Sequence, residues 1–125
     1  VTDGQRRTLG ALADTLFPAE RPLYLDAVSV DLAPTIAAWL PLLPTPQRTA
    51  LLAALTTFDA GFSVWLGRAV AFADGTAAER RAWVEAVAEA PSWPVRKAFE
   101  ALRFALLLHY AERPAVQAAI TERRP

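Results

Sequence analysis

Residues 99–110, FEALRFALLLHY, constrain the fold of this chain more than any other stretch. Glu100 and Arg103 mark a wet side at its start, but from Phe104 to Leu108 no polar group appears on any face. Wound as a helix, such a segment presents apolar surface in every direction and asks for cover on every side. Leaving Phe104, Leu107 and Leu108 in water forgoes about 1.5–3 kcal/mol each, a sum comparable with the stability of a whole small domain. The expectation is that the C-terminal half of this helix lies at the centre of a bundle.

The rest of the chain reads as helices of ordinary amphipathic pattern separated by prolines. Thr2 with Gln5 three residues on is a capping box, followed by Leu9, Leu12, Ala13 and Leu16 on one face, and Pro18 ends that helix. Residues 18–30 hold two prolines and no sustained period, so they read as a packed connector anchored by Leu23, Leu25, Val28 and Val30. Asp31 is placed to cap a second helix with Leu32, Ile36, Trp39 and Leu40 inward, closed by Pro41 and Pro44. Thr45-Pro46 reads as a cap and a first-turn proline, opening a third helix with Leu51, Leu52, Leu55 and Phe58 at core spacing.

Gly61 is expected to loosen the chain before a short helix over 62–72 that carries Trp65. Thr76 and Glu79 form a second capping box ahead of Trp83, Val84 and Val87, and Pro91 stops that helix. Ser92 and Pro94 start the segment of the opening paragraph, and Arg113-Pro114 divides it from a last helix holding Val116 and Ile120. The prediction is an all-α fold: a compact orthogonal or irregular bundle of six to seven helices, as a single domain over residues 1–125. "LGAL" and "LAAL" look alike, but no period of 20–50 residues recurs, so there is no repeat architecture.

Composition narrows the function classes. Thirteen basic residues balance thirteen acidic ones. No net field gathers nucleic acid or an anionic membrane surface. With no cysteine there is no disulfide, thiolate metal site or thiol catalysis. No uninterrupted apolar run approaches the roughly 20 residues needed to cross a bilayer, so the chain is expected not to span a membrane. Arg6-Arg7 before "TLGALADTLF" resembles an export signal superficially, but Asp14 and Pro18 interrupt the apolar region and the stretch reads as a folded helix. As it stands the chain reads as soluble and cytoplasmic, or periplasmic where an export signal has been removed or is supplied by a partner.

Chemistry has few places to reside. His109, the only histidine, shares a helix face with Glu112, but a bundle-core metal site needs a second such helix and further inward carboxylates. A nucleophilic triad would have to draw on Ser29, Ser63 or Ser92 with His109 and an acid such as Asp59 or Asp74, and no glycine-rich elbow surrounds any of these serines. The five glycines, at 4, 10, 61, 67 and 75, form no phosphate-cradling loop. No catalytic, cofactor-binding or metal-binding residues are therefore assigned, and the chain is expected not to be an enzyme in its own right. Of the four tryptophans, Trp39 and Trp83 fall on inward stripes, whereas Trp65 and Trp93 stand near glycine or proline breaks. These two, with Phe62 and with Tyr24 of the connector, are the candidate partner-facing residues.

Several stretches carry a family resemblance. "TDGQRRTLGALADTLFPA" at the front, "DLAPTIAAWLPLLPTPQRTALLAAL" in the middle, and the Thr76 box with Arg80, Trp83 and "RKAFEALRFALLLHYAERPAVQAAI" make the chain similar, over nearly its whole length, to the gluconate 2-dehydrogenase subunit 3 family. That family is a small helical domain associated with glucose-methanol-choline type flavoprotein oxidoreductases. The sharpest elements are Leu12, Asp14 and Pro18 at the front and Phe99, Leu102, Tyr110 and Pro114 in the last third, most of them packing and capping residues. The resemblance implies an accessory subunit that binds and stabilises a flavin-dependent dehydrogenase or oxidase. FAD would then reside on the partner and no cofactor on this chain. A free-standing helical module that binds a small apolar ligand is the alternative.

Overall fold

The computed structural model describes residues 2–18, 32–90 and 93–122. Among them are six α-helices and no strand: α1 (Asp3–Leu16), α2 (Leu32–Trp39), α3 (Thr45–Leu66), α4 (Ala77–Ala88), α5 (Trp93–Glu112) and α6 (Pro114–Glu122). The all-α prediction holds. Asp31, Ser92 and the connector anchors Leu23, Leu25, Val28 and Val30 lie outside the described residues.

Both capping boxes form as their sequence spacing dictates. Thr2 Oγ1 accepts the Gln5 N–H at 3.1 Å while Gln5 Oε1 accepts the Thr2 N–H at 2.8 Å. Thr76 and Glu79 repeat the exchange at 3.1 and 2.9 Å. Each box satisfies two backbone donors that a helix start otherwise leaves orphaned. At α3 the expected register is off by one: Pro44 is the N-cap residue and Thr45 already belongs to the helix, because Pro46 fits the first turn equally well one place further in.

The larger difference lies at Gly61. The third helix runs through it without interruption for 22 residues, and Phe62 and Trp65 continue the stripe begun by Leu51, Leu55 and Phe58. Glycine costs a helix about 1 kcal/mol, too little to break one that is packed along its length. Here the missing side chain has a use. A Cβ on Gly61 would lie 3.0 Å from Trp83 Cζ2, so the glycine lets the indole of α4 lie against the helix.

Helix α3 packs against α5 along much of their lengths. The Cβ position of Gly61 lies 3.5 Å from Val95 Cγ1, the Phe58 and Phe99 rings stack at 6.0 Å, and Leu51 and Leu55 share a contact region with Leu102 and Leu106. Later residues of one helix meet earlier residues of the other, so the pair is antiparallel. Both stripes, 51-55-58-62 and 95-99-102-106, step by four and three, the spacing that keeps one face on a partner helix. Helices α1, α2 and α4, with the turn that follows α2, close around this pair through Leu9, Leu12, Leu32, Ile36, Leu40, Trp83 and Val87, all buried.

The segment between α3 and α4 is pinned back onto α3. Gly67 ends the helix in the left-handed region at φ +78°, where glycine carries no Cβ penalty. Ser63 Oγ then donates to the Val70 carbonyl at 2.7 Å, and Asp59 Oδ1 accepts the Phe72 N–H at 2.7 Å. These two bonds hold Phe72 in the core, edge-on to Phe58 and Phe62 at 4.9 and 5.3 Å.

Among the described residues, Glu79 carries a pH signature. The Thr76 backbone N–H that it accepts, together with the Arg68 guanidinium 2.7 Å away, holds its carboxyl below the ordinary value. A depressed folded-state value stabilises the fold above the unfolded carboxylate range, and that contribution disappears as pH falls through the folded value. Glu79→Gln is therefore expected to melt below wild type at neutral pH, the gap narrowing as the solution is acidified past the carboxylate range. A gap independent of pH would show that the charge has no part in it.

Candidate functional site

Trp65 lies seven residues beyond Phe58, two helical turns along the same face of α3. The antiparallel pairing sets it opposite the very start of α5, so its stripe continues where the facing helix is only beginning. The consequence is an indole 44% exposed but backed from within, its ring centroid 5.6 Å from Trp83 and 6.3 Å from Phe62. Val64 beside it is largely in solvent. Such an aromatic, large and fixed by what lies behind it, is the type of residue on which interface energy concentrates.

Trp93 opens α5 and is 60% exposed, with Lys97 Nζ 5.5 Å from its ring centroid. Phe62 corrects the expectation made for it. It is fully buried against Phe72, Trp83 and Gly75, because a helix unbroken at Gly61 carries it onto the inward stripe rather than into a new element. Tyr24 lies outside the described residues.

The residues that carry the family resemblance divide between core and surface. Leu12, Phe99, Leu102 and Tyr110 are buried, and Tyr110 stacks on Phe17 at 4.0 Å with the rings 7° from parallel. Pro18 is half-buried, Asp14 is on the surface, and Pro114 is the exposed first residue of α6.

The second correction concerns the opening segment. Only one stripe of it, Leu102, Ala105, Leu106 and Tyr110, faces the core. Phe104 is 69% exposed, Leu107 41% and Leu108 44%. Steps of 100° send residues two positions from Leu106 to the far side of the helix, away from α3. Exposure is unfavourable relative to burial, but folding is measured against an unfolded chain that exposes the same groups. Their exposure forgoes stabilisation without opposing the fold. On the last helix Ile120 is likewise 45% exposed, while Val116 is buried.

This outward face of α5 escaped the sequence reading. Its signal was present: Trp93, Lys97, Glu100, Phe104, Leu107 and Ala111 step by four and three, a second stripe at packing spacing on the same helix.

The residues weighed for chemistry do not gather. His109 is half-buried, its ring 4.4 Å from Trp39 at 61°, and its Nε2 is buried without a hydrogen-bond partner; Glu112 stands exposed. Ser63 and Asp59 are engaged with the 70–72 backbone, Asp74 pairs with Arg7, and Ser29 and Ser92 lie outside the described residues. Among the described residues no three His, Cys, Asp or Glu side chains come together to hold a metal. A cleft of about 240 Å³ lies between the start of α1, α3 and residues 71–73, but Arg7 and Asp59 at its wall both have these partners already. The apolar space among Leu9, Ile36, Trp39, Leu55, Leu102 and Leu106 amounts to about 10 Å³, about the size of one water-sized probe.

One described helix, α3, is long and apolar enough by length and composition to cross a bilayer, a criterion that the core helix of a globular domain also meets. Leu55, Phe58 and Phe62 of this helix are core residues here. Comparison of the chain with protein-family models, with curated proteins and with solved structures gave no match.

Proposed function

We propose that this chain is a non-catalytic accessory subunit that docks on and stabilises a larger flavin-dependent dehydrogenase or oxidase of the glucose-methanol-choline type. On this reading FAD belongs to the partner, and this chain neither carries a cofactor nor spans a membrane. The observation that carries the docking role is Trp65, half-exposed at the open end of the α3–α5 pair and immobilised from behind by Phe62 and Trp83. A rigid aromatic loses little side-chain freedom on binding, which is why such residues anchor interfaces. The identity of the partner rests on the sequence resemblance. The ligand-binding alternative has less support: the enclosed apolar space among Leu9, Ile36, Trp39, Leu55, Leu102 and Leu106 measures about 10 Å³, and the larger apolar groove of about 450 Å³ beside Arg6, Ala33, Pro34, Ala37 and Ala38 lies open at the surface.

Co-expression with a glucose-methanol-choline type flavoprotein encoded beside it is the test. Both chains and the flavin absorbance are expected in one gel-filtration peak. Trp65→Ala is expected to weaken the complex at least about tenfold while the isolated chain keeps its helical content, whereas His109→Ala is expected to leave the flavoprotein turning over at its wild-type rate. Separate peaks for the wild-type pair would overturn the proposal.

A further inference from the structure

We propose that two copies of this chain pair through the outward face of α5, antiparallel, about a two-fold axis at Phe104. This face is distinct from the end that carries Trp65, so the inference stands apart from the docking role given to that residue.

Phe104, Leu107 and Leu108 are 69%, 41% and 44% exposed, and Ala101 and Ala111 extend the patch along the helix. The exposed apolar area of these residues is on the order of 300 Å², the size of patch that a monomer ordinarily leaves in water. Contributed by two copies, with the stems of Lys97 and Glu112 at its edges, it stays below about 1,000 Å², the range of weak and transient pairs.

The order of residues along the stripe selects a second copy as the occupant. Ala101 precedes Phe104 by three positions and Leu107 follows it by three; Lys97 precedes it by seven and Ala111, with Glu112 next, follows it by seven. Reversal about Phe104 therefore sets the small Ala101 against the other copy's Leu107 and Leu108, and Lys97 against its Ala111 and Glu112. Large meets small and cation meets anion, twice, by one symmetry operation. A parallel pair would instead bring each charge against its own kind. Glu100, which faces the Leu108 end, is held by Lys97 of its own helix at 3.3 Å, and an ammonium with three donors has capacity left for a second carboxylate. Both Lys97 and Glu112 are exposed.

The small area sets the expected strength: a reversible dimer with Kd in the micromolar range, read by sedimentation equilibrium over a concentration series. Phe104→Glu is expected to give a monomer at every concentration with an unchanged circular dichroism spectrum. Lys97→Glu is expected to weaken the dimer about tenfold, and adding Glu112→Lys in the same chain to restore it, a rescue that merely structural damage would not show. Because the chain has no cysteine, Phe104→Cys supplies a single thiol at the axis, and mild oxidation is expected to yield a covalent dimer, whereas Val64→Cys, near the C-terminal end of α3 and away from this face, is expected to remain monomeric. A wild-type chain monomeric up to on the order of 1 mM, or a dimer indifferent to Phe104→Glu, overturns the proposal.

Discussion

Phe58→Ala is expected to destabilise the fold by about 3–5 kcal/mol and to lower Tm by on the order of 10–20 °C. The Phe58 ring has no exposed surface and contacts aromatic rings from three other segments: Phe72 edge-on at 4.9 Å, Trp83 at 5.9 Å and Phe99 at 6.0 Å. Truncation removes a fully buried ring at the junction of α3, α4, α5 and the 70–74 segment. The loss thus combines transfer free energy, an unfilled cavity and the aromatic-pair terms, each of the last about 0.5–1.5 kcal/mol. Urea unfolding measures it, and Phe104→Ala is the internal control. That residue, on the same fold but mostly in solvent, is expected to change stability by no more than about 0.5 kcal/mol in a monomeric sample. Equal effects at the two positions would contradict the division of α5 into an inward and an outward face.

Gly75→Ala is expected to cost about 1–3 kcal/mol through overpacking alone. The backbone there, at φ −69° and ψ 159°, suits any residue, so conformational freedom is not the issue. The obstacle is the ring of Phe62: an added Cβ would lie 2.7 Å from its Cζ and 3.2 Å from its Cε2, with the Phe72 carbonyl at 3.4 Å. Because Phe62 is itself locked between Phe72 and Trp83, the ring has little room to withdraw. Phe62→Leu in the same chain should recover part of the loss, giving a coupling energy of about 1 kcal/mol or more in a double-mutant cycle. Strictly additive effects would show that the contact is not the cause. Gly10→Ala, where a Cβ meets nothing within 4 Å, is expected to be harmless.

Local signals were legible where the physics is local. Thr2 with Gln5 and Thr76 with Glu79 announced two helix starts, and both boxes formed, since a cap depends only on residues within one turn. Gly61 misled because its helix-breaking tendency is weak beside the packing of Phe58 and Phe62 around it, and that packing depends on α4 and α5. Phe62 was assigned to a partner surface for the same reason: a helix break was read where the helix continues. Trp65, offered as a partner-facing residue, is 44% exposed through the mismatch in length between two antiparallel helices and not through a loosened chain.

The deepest division runs through α5. Its sequence alone determined that it is a helix with two apolar sides, because helical periodicity is carried by residue spacing. Which side would meet α3, and that the other would be left to solvent, depended on how many elements this short chain brings to it: α2, α3 and α4 pack on α5, with α6 at its end, and Phe104, Leu107 and Leu108 stay exposed. Spacing assigns residues to faces, whereas cover is a property of neighbours distant in sequence, and only the assembled fold supplies them.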